Sequence, residues 1–240
     1  MELKICNLYP DIMNLYGDRG NIICMQKRLK WRGIDVSAEG LTLGSSGPLS
    51  GYDLIFIGGG QETPQRLLLE ELRKGRAAEL KAAAEDGIAV LAICAGFQML
   101  GNYYEDSNGS KVEYAGVLDM YTRAGEERIT GNYSFKCTDE AGGSTAVGFE
   151  NHSGRTYLGS SLSPLGKIIK GFGNNGDGSE GVHYKNVFGT YSYGPVLPKN
   201  PELCDFILLS ALERKYGRAE LAPLDDSAEL LAHDEMLSRL

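Results

Sequence analysis

Cys94 is the residue whose type and position most directly suggest chemistry. It follows a short apolar run, Ala89–Ile93, and precedes small residues and a second apolar run of helical character. A thiol at such a strand-to-helix turn is well placed to be a nucleophile, because the free N–H groups and dipole of the following helix stabilise the thiolate. The position predicts a lowered pKa for Cys94 and acyl transfer through a thioester. A small core residue is the other interpretation of this pattern, and the residues alone leave it open.

Backbone donors for the oxyanion of such a reaction are expected at two turns. The first follows Cys94, where small residues permit a tight elbow and the N–H of Ala95 can face an oxyanion. The second is the glycine run of GGGQETPQ, residues 58–65, because backbone without side chains can approach a ligand closely. Ligands of open α/β sheets bind at the carboxyl ends of the strands, where both turns are predicted. The glycine run is therefore a second possible source of an oxyanion donor.

The composition limits the class of protein. The net charge of the 240 residues is 24 − 32 = −8, which argues against nucleic acid or an anionic membrane as the main partner. No apolar run approaches the roughly 20 residues that span a bilayer, and the first residues do not resemble a secretory signal. The four other cysteines show no CxxC spacing and are interpreted as structural; they are Cys6, Cys24, Cys137 and Cys204. We therefore expect a cytoplasmic chain with free thiols, no metal site and no cofactor.

The elements that must position Cys94 alternate between strand and helix patterns in the first half of the chain. Apolar runs such as YDLIFI and IAVLAIC alternate with helical segments, one of which starts at Thr63–Pro64 and has a break near Gly75. This alternation predicts an α/β fold, with a mostly parallel sheet covered by helices on both faces. The second half is rich in Gly, Tyr, Thr and Ser, and it predicts additional short strands and a flexible surface loop over Phe172–Gly181.

The final part of the chain returns to helical patterns. A helix is predicted after Asn200, which is interpreted as its N-cap, and residues 222–240 predict a weaker extra helix. The segment YGDRGN, residues 16–21, is interpreted as a turn that opens the first helix, with Asp18 as a cap or a partner contact. Nothing in the sequence forces a boundary, so residues 1–240 are expected to form a single domain.

Several of these motifs together resemble a known family. The elbow ICAGFQMLG, the glycine loop FIGGGQE, and the segments YGDRGNI, GFENHSGRTYLG and HYKNVFGTYSYGPVLPKNPELCDFIL are similar to the class I (triad-type) glutamine amidotransferases, in their cobyric-acid-synthase-like branch. The likeness extends over about residues 4–216. It implies that Cys94 attacks the carboxamide of L-glutamine and releases ammonia, with Gly59 or Gly60 and Ala95 as oxyanion donors. It also implies that Arg128 binds the glutamine substrate.

The resemblance further implies a partner. The family members that most resemble this chain pass ammonia to a Mur-ligase-like, ATP-dependent subunit, MurT, which amidates D-glutamate in lipid II to D-isoglutamine. The sequence has no P-loop of the GxxxxGK[ST] type, so we expect the ATP chemistry on another polypeptide. Other members of the family amidate corrin carboxylates, and that acceptor stays open as an alternative.

The sequence departs from the family at the general base. The family reads G-T-Y-x-H-G-P near its end, whereas this chain reads GTYSYGP and places Tyr193 at the histidine. A tyrosine has an ordinary pKa of about 10 and is a poor base near pH 7. His152 and His183 are the substitute bases that the sequence offers, while His233 lies beyond the resemblance. A degenerate amidotransferase that keeps the fold and the partner surface, but hydrolyses glutamine poorly, is therefore a second hypothesis.

Overall fold

The computed structural model describes residues 1–60 and 68–240. The predicted helix start at Thr63–Pro64 and residues 61–65 of the glycine motif lie outside the described residues. In the described ranges the strands are β1 (Glu2–Leu8), β2 (Asp35–Leu41), β3 (Leu54–Ile57), β4 (Ala89–Ile93), β5 (Tyr103–Glu105), β6 (Lys111–Glu113), β7 (Met120–Cys137), β8 (Thr145–Leu158), β9 (Gly166–Lys170), β10 (Ser179–Glu180), β11 (Val182–Tyr184) and β12 (Val187–Thr190). The α-helices are α1 (Arg19–Trp31), α2 (Ala77–Glu85), α3 (Ala95–Met99), α4 (Pro201–Tyr216) and α5 (Ser227–Ser238).

The first sheet has the strand order β11-β12-β4-β3-β1-β2. Its pairs are parallel except for the antiparallel edge pair β11–β12. The central strands β3 and β4 are buried along their whole length, as expected for parallel strands covered on both faces. The predicted mixed α/β fold with a mostly parallel sheet is confirmed, and β4 ends directly before Cys94.

The second sheet has the order β10-β9-β7-β5-β6, with β8 also paired to β7. The additional short strands predicted in the second half of the chain are confirmed in β5, β6 and β9 to β12, but the sequence did not predict the length of β7 and β8. β7 and β8 are long antiparallel partners, and a register shift between Ala124 and Ile129 interrupts their pairing. That irregularity lies beside Arg128. β12, by contrast, leaves the second half of the chain and joins the parallel sheet beside β4.

Helical details agree with the sequence in part. Gly75 has φ 120° in a π-helical segment, Leu72–Arg76, which confirms the break predicted there. Asn200 precedes α4, but its side chain makes no capping bond and instead binds the backbone of Val147 and Val196. α5 confirms the helix predicted in the last segment.

The loop over Phe172–Gly181 is not simply a flexible surface loop. Asn174 is fully buried, and its side chain bonds both the N–H and the C=O of Gly181 at 2.8 Å. No helix of the described ranges has the length and apolar character needed to cross a membrane.

Candidate active site

Cys94 occupies a sharp turn between β4 and α3. Its backbone has φ 47° and ψ −103°, a region that costs an L-residue with a side chain about 1–3 kcal/mol. The N–H of Cys94 donates to the carbonyl of Thr190 at 2.8 Å, which holds the turn against β12. A Cβ on Gly96 would come within 2.7 Å of two carbonyl oxygens, those of Ile57 and Gly58, so only glycine fits there. The tight elbow expected from the small residues is present, and it presents the thiol at the carboxyl edge of the sheet.

A cavity of about 490 Å³ lies over this turn. Among the described residues, its wall includes the predicted site residues Gly60, Cys94, Ala95, Arg128, His152 and Tyr193. These residues come from the glycine loop, the elbow and both long strands of the second sheet, together with the segment after β12. The cavity therefore lies where the two sheets meet, and it brings together most of the residues that the motifs indicated.

The thiol of Cys94 does not have the lowered pKa that its position suggested. Burial raises the pKa of Cys94 to about 12, and the negative charge of Asp18 adds to this. Three groups oppose the increase: the Tyr193 hydroxyl, the N–H of Ala95 and the positive charge of Arg128. The helix-end effect is thus real but smaller than the cost of removing a thiolate from water. Cys94 is a protonated thiol at neutral pH and requires a proton acceptor before it attacks.

Tyr193 is packed directly against the nucleophile. Its hydroxyl donates a hydrogen bond to the sulfur of Cys94, and its side chain is almost completely buried. Burial and the neighbouring Cys94 raise the pKa of Tyr193 far above its ordinary value. The ring also meets Tyr16 edge-on, with centroids 5.0 Å apart. Tyr193 therefore stays protonated, and it acts as a donor to sulfur rather than as a base.

Arg128 reaches the cavity from the irregular part of β7. Its Nε donates to Oδ1 of Asn151 at 2.5 Å, and Asn151 in turn donates to the hydroxyl of Tyr16 at 2.7 Å. Within the described residues the two Nη groups have no acidic partner. The guanidinium is thus anchored through Nε while its fork stays available for a carboxylate.

Asp18 holds the glycine loop in place through a hydrogen bond. The sequence-based interpretation of Asp18 as a helix cap or a partner contact is wrong. Asp18 neither caps α1 nor reaches the surface: it is fully buried, and its Oδ2 accepts the N–H of Gly59 at 2.5 Å. Gly59 therefore has no free N–H for an oxyanion, which argues against Gly59 as the second donor in the predicted pair of alternatives, Gly59 or Gly60. Gly60 borders the cavity and remains the candidate.

The histidines divide into one beside the cavity and two elsewhere. His152 lines the cavity, stacks on Tyr191 at 3.7 Å and lies with Nδ1 2.9 Å from the carbonyl of Gly154. Because a carbonyl only accepts, Nδ1 is the donor, and Nε2 is buried with no hydrogen-bond partner among the described residues. Nε2 lies 3.6 Å from Oε2 of Glu150. His152 borders the cavity, and its role as a substitute base stays a prediction.

The other two histidines, His183 and His233, are not among the described residues that line the cavity with Cys94. His183 stacks on Phe188 at the β11–β12 edge and is not among the described residues of the cavity wall, which gives no support to a role as the substitute base. His233 bonds the carbonyl of Lys199 from α5.

Comparisons with known proteins relate the chain to glutamine amidotransferases. Residues 4–201 match the model of the CobB/CobQ-like glutamine amidotransferase domain. The chain is 42% identical to the GatD subunit of lipid II isoglutaminyl synthase (glutamine-hydrolyzing) from Staphylococcus aureus, over 99% of this chain and 96% of that protein. It is 38% identical to the GatD subunit from Streptococcus pneumoniae, over 99% and 88%. Among solved structures, PurLQS from Thermotoga maritima matches with a TM-score of 0.62 and 21% identity, over 89% of this chain and 99% of that chain, which shows the shared fold.

Proposed function

The chain belongs to the CobB/CobQ-like glutamine amidotransferase family, and from this we propose that it is the glutamine-hydrolysing subunit of a lipid II isoglutaminyl synthase. Its activity is to release ammonia from L-glutamine for a carbon–nitrogen ligase in peptidoglycan synthesis. One observation carries the proposal: the thiol of Cys94 stands on a strained elbow in a cavity that also contains the anchored fork of Arg128.

Glutamine hydrolysis in this cavity proceeds by two acyl transfers. The sulfur of Cys94 attacks the side-chain carboxamide, and its proton passes to the departing nitrogen. The C–N bond of the tetrahedral adduct then breaks, so that ammonia leaves and a glutamyl thioester remains. Water then cleaves the thioester, which returns the proton to sulfur and releases glutamate. In both steps a negative charge develops on the former amide oxygen, which the N–H groups of Ala95 and Gly60 stabilise.

Arg128 selects and orients the substrate. Glutamine carries an α-carboxylate several bonds away from its reacting amide, and a guanidinium fork engages such a group with two parallel hydrogen bonds. The bond from Nε to Asn151 fixes the plane of the fork before substrate arrives. Part of the orientational cost of binding is therefore met in the free protein.

The ammonia acceptor is proposed to be D-glutamate in the stem peptide of lipid II, activated by a Mur-ligase-like, ATP-dependent partner such as MurT. Both GatD relatives, which match over 99% of this chain, are named as subunits of lipid II isoglutaminyl synthase, which supports lipid II over a corrin carboxylate. The cytoplasm is the proposed compartment, consistent with the free cysteines.

The test follows nitrogen from donor to acceptor. The chain is co-expressed with a Mur-ligase-like protein from its own source, and the complex is given ATP, lipid II and glutamine labelled with ¹⁵N in its amide. The proposal expects ¹⁵N in the D-isoglutamine of the product and no transfer with a Cys94→Ala chain. Label that reaches no lipid II product, with glutamine hydrolysed all the same, would indicate a different acceptor.

One observation favours a second candidate function. Tyr193 holds the place of the family base but stays protonated, so the proton of Cys94 has no acceptor at that position. The second candidate is a subunit that keeps the fold and the ligase contact but hydrolyses glutamine slowly. In the same experiment it predicts efficient amidation from free ammonium and poor amidation from glutamine.

A further inference from the structure

Asp18 is a buried carboxylate that the proposed chemistry does not use. Its relative exposure is 0%, yet its Oδ1 has no hydrogen-bond partner among the described residues. Burial of an unpaired carboxylate oxygen is costly. Its other oxygen, Oδ2, is bonded to the N–H of Gly59. Such an arrangement stabilises the fold little, so a role in the neighbouring site is a better account of it.

The segment around Asp18 holds both polar groups of Gly59. Asp18 accepts a hydrogen bond from the N–H of Gly59, and the N–H of Leu15 donates one to the carbonyl of Gly59 at 3.1 Å. A trans peptide is planar, and its C=O and N–H point in opposite directions. With the carbonyl of Gly59 turned towards Leu15, the N–H of Gly60 in the same peptide must point the other way. Gly60 has no acceptor for that N–H among the described residues and borders the cavity.

On the side where a Cβ would project, Gly59 contacts Tyr193, the residue next to the nucleophile. A Cβ on Gly59 would lie 2.5 Å from the hydroxyl oxygen of Tyr193, which is itself bonded to the sulfur of Cys94. Gly59 therefore lies between the carboxylate of Asp18 and the hydroxyl of Tyr193, which contacts the thiol of Cys94. A displacement of Gly59 would change the position of Tyr193 and with it the surroundings of Cys94.

We propose that Asp18 is a positioning residue of the glutaminase site, which fixes the glycine loop so that Gly60 supplies the second oxyanion donor, and whose charge tunes the reactivity of Cys94. This inference rests on the proposed glutamine hydrolysis for its first part. The second part, the effect on the thiol, stands independently of any substrate.

The electrostatics support the second part. Burial raises the pKa of Asp18 to about 7, while the N–H of Gly59 lowers it. The groups that act on the Cys94 thiol are Tyr193, the N–H of Ala95 and Arg128, which favour the thiolate, and Asp18, which opposes it. Removing the charge of Asp18 while keeping an oxygen acceptor should therefore make Cys94 more acidic without releasing the loop.

Two substitutions separate the two parts. Asp18→Asn keeps a carbonyl oxygen for the N–H of Gly59 but removes the charge, whereas Asp18→Ala removes both. Asp35→Asn, at an exposed position on β2, is the matched control for loss of one charge. Alkylation of Cys94 by iodoacetamide is followed by mass spectrometry from pH 6 to 10, and kcat and KM for glutamine are measured with the ligase partner bound.

The expected results differ between the variants. Asp18→Asn alkylates roughly three- to tenfold faster than the starting protein between pH 7 and 9, since one pKa unit is tenfold in thiolate. Asp18→Ala loses roughly 10²-fold or more in kcat with little change in KM, the usual cost of one misplaced oxyanion donor. The control matches the starting protein in both measurements.

Three outcomes overturn parts of the inference. Unchanged alkylation in Asp18→Asn removes the charge effect, and an unchanged kcat in Asp18→Ala removes the positioning role. If Asp18→Ala does not fold, a loss of kcat in Asp18→Asn as large as 10²-fold contradicts the idea that an oxygen acceptor suffices. If the starting protein hydrolyses no glutamine, the proposed function fails, while the alkylation comparison still decides whether Asp18 controls Cys94.

Discussion

The hydroxyl of Tyr193 donates a hydrogen bond to the sulfur of Cys94, and Tyr193 stands at the position that the sequence motif predicts for the general base. A histidine there would accept the thiol proton and later deliver it to the leaving nitrogen. The tyrosine instead offers a proton that it does not release, because burial raises its pKa far above the ordinary value. The contact stabilises a thiolate once formed but supplies no route to form it.

Tyr193→His should restore that route. A positioned general base is typically worth about 10²–10⁴-fold, so glutaminase activity with the partner present should rise by roughly 10²-fold or more. The pH profile of kcat/KM should also gain a limb near pH 6.5, which is the ordinary pKa of an imidazole. Steady-state release of glutamate between pH 5.5 and 9 checks both expectations.

Two further sets of variants make this result interpretable. Tyr193→Phe removes the donor to sulfur without adding a base, so it should not raise activity. His152→Ala tests the histidine beside the cavity, and His183→Ala is its control at the sheet edge. A high starting activity that His152→Ala abolishes would show that His152 has replaced the missing base.

The reactivity of Cys94 should follow a high pKa. With a pKa of about 12, the thiolate fraction of Cys94 increases about tenfold for each pH unit between 7 and 10, and the alkylation rate should increase in parallel without a plateau. Peptide mapping after timed exposure to iodoacetamide gives this rate. A plateau below pH 8 would mean that the thiolate is stabilised far more than the buried site indicates.

The same experiment compares the other cysteines. Cys94 should be the cysteine that a glutamine-analogue electrophile labels, because the cavity admits such a molecule to its sulfur. Preferential labelling of Cys24, which is half-buried, would contradict the assignment of the nucleophile.

The parts of the fold that the sequence predicts are those with local patterns. The apolar runs of β3 and β4 are continuous because both faces of these strands are covered, so their burial and parallel pairing are predictable from the residue pattern alone. The long pairing of β7 with β8 is different. Both strands mix buried and exposed residues and contain glycines, so no local signal in the sequence distinguishes one long strand from several short ones.

The candidate site shows the same limit. Cys94 and Ala95 are adjacent in sequence, and their turn is recognisable from small residues after an apolar run. The bond from Gly59 to Asp18 joins residues 41 positions apart, and only the folded chain reveals which N–H it occupies. The pKa of Cys94 likewise depends on burial in the folded chain, which outweighs the local effect of a five-residue helix.

Substitution of Arg128 should affect substrate binding. Charge-assisted hydrogen bonds are worth about 1.5–3 kcal/mol, so Arg128→Ala should raise KM for glutamine roughly 10- to 100-fold with a smaller effect on kcat. Arg128→Lys should recover little, since an ammonium cannot form the fork. Arg123→Ala is the matched control: it lies on the same strand but packs over Tyr121 and pairs with Glu105. Equal effects of the two alanine variants would mean that the loss is one of general charge rather than of a specific contact.

The stability of the protein should depend on a buried ion network that fastens the C-terminal helix α5 to the core. Arg28 on α1 is almost completely buried and binds the carboxylates of Asp205 on α4 and Asp226 at the start of α5, with four hydrogen bonds between 2.5 and 2.9 Å. Removing one member of such a network leaves charges unpaired. Arg28→Ala should therefore lower the free energy of unfolding by about 3–5 kcal/mol, whereas the exposed Lys27→Ala on the same helix should change it little.

The pH dependence of this network has a definite sign. Arg28 and Arg32 hold the pKa of Asp205 below its ordinary value, although burial alone would raise it. A carboxylate with a depressed pKa in the folded state stabilises the protein above its unfolded pKa, and this contribution is lost as the pH falls through the folded value. Urea unfolding should thus show the starting protein losing stability below about pH 4, and Arg28→Ala losing less over that interval. Equal slopes for the two proteins, or a loss of stability confined to high pH, would show that the Arg28 network does not hold the last helix in place.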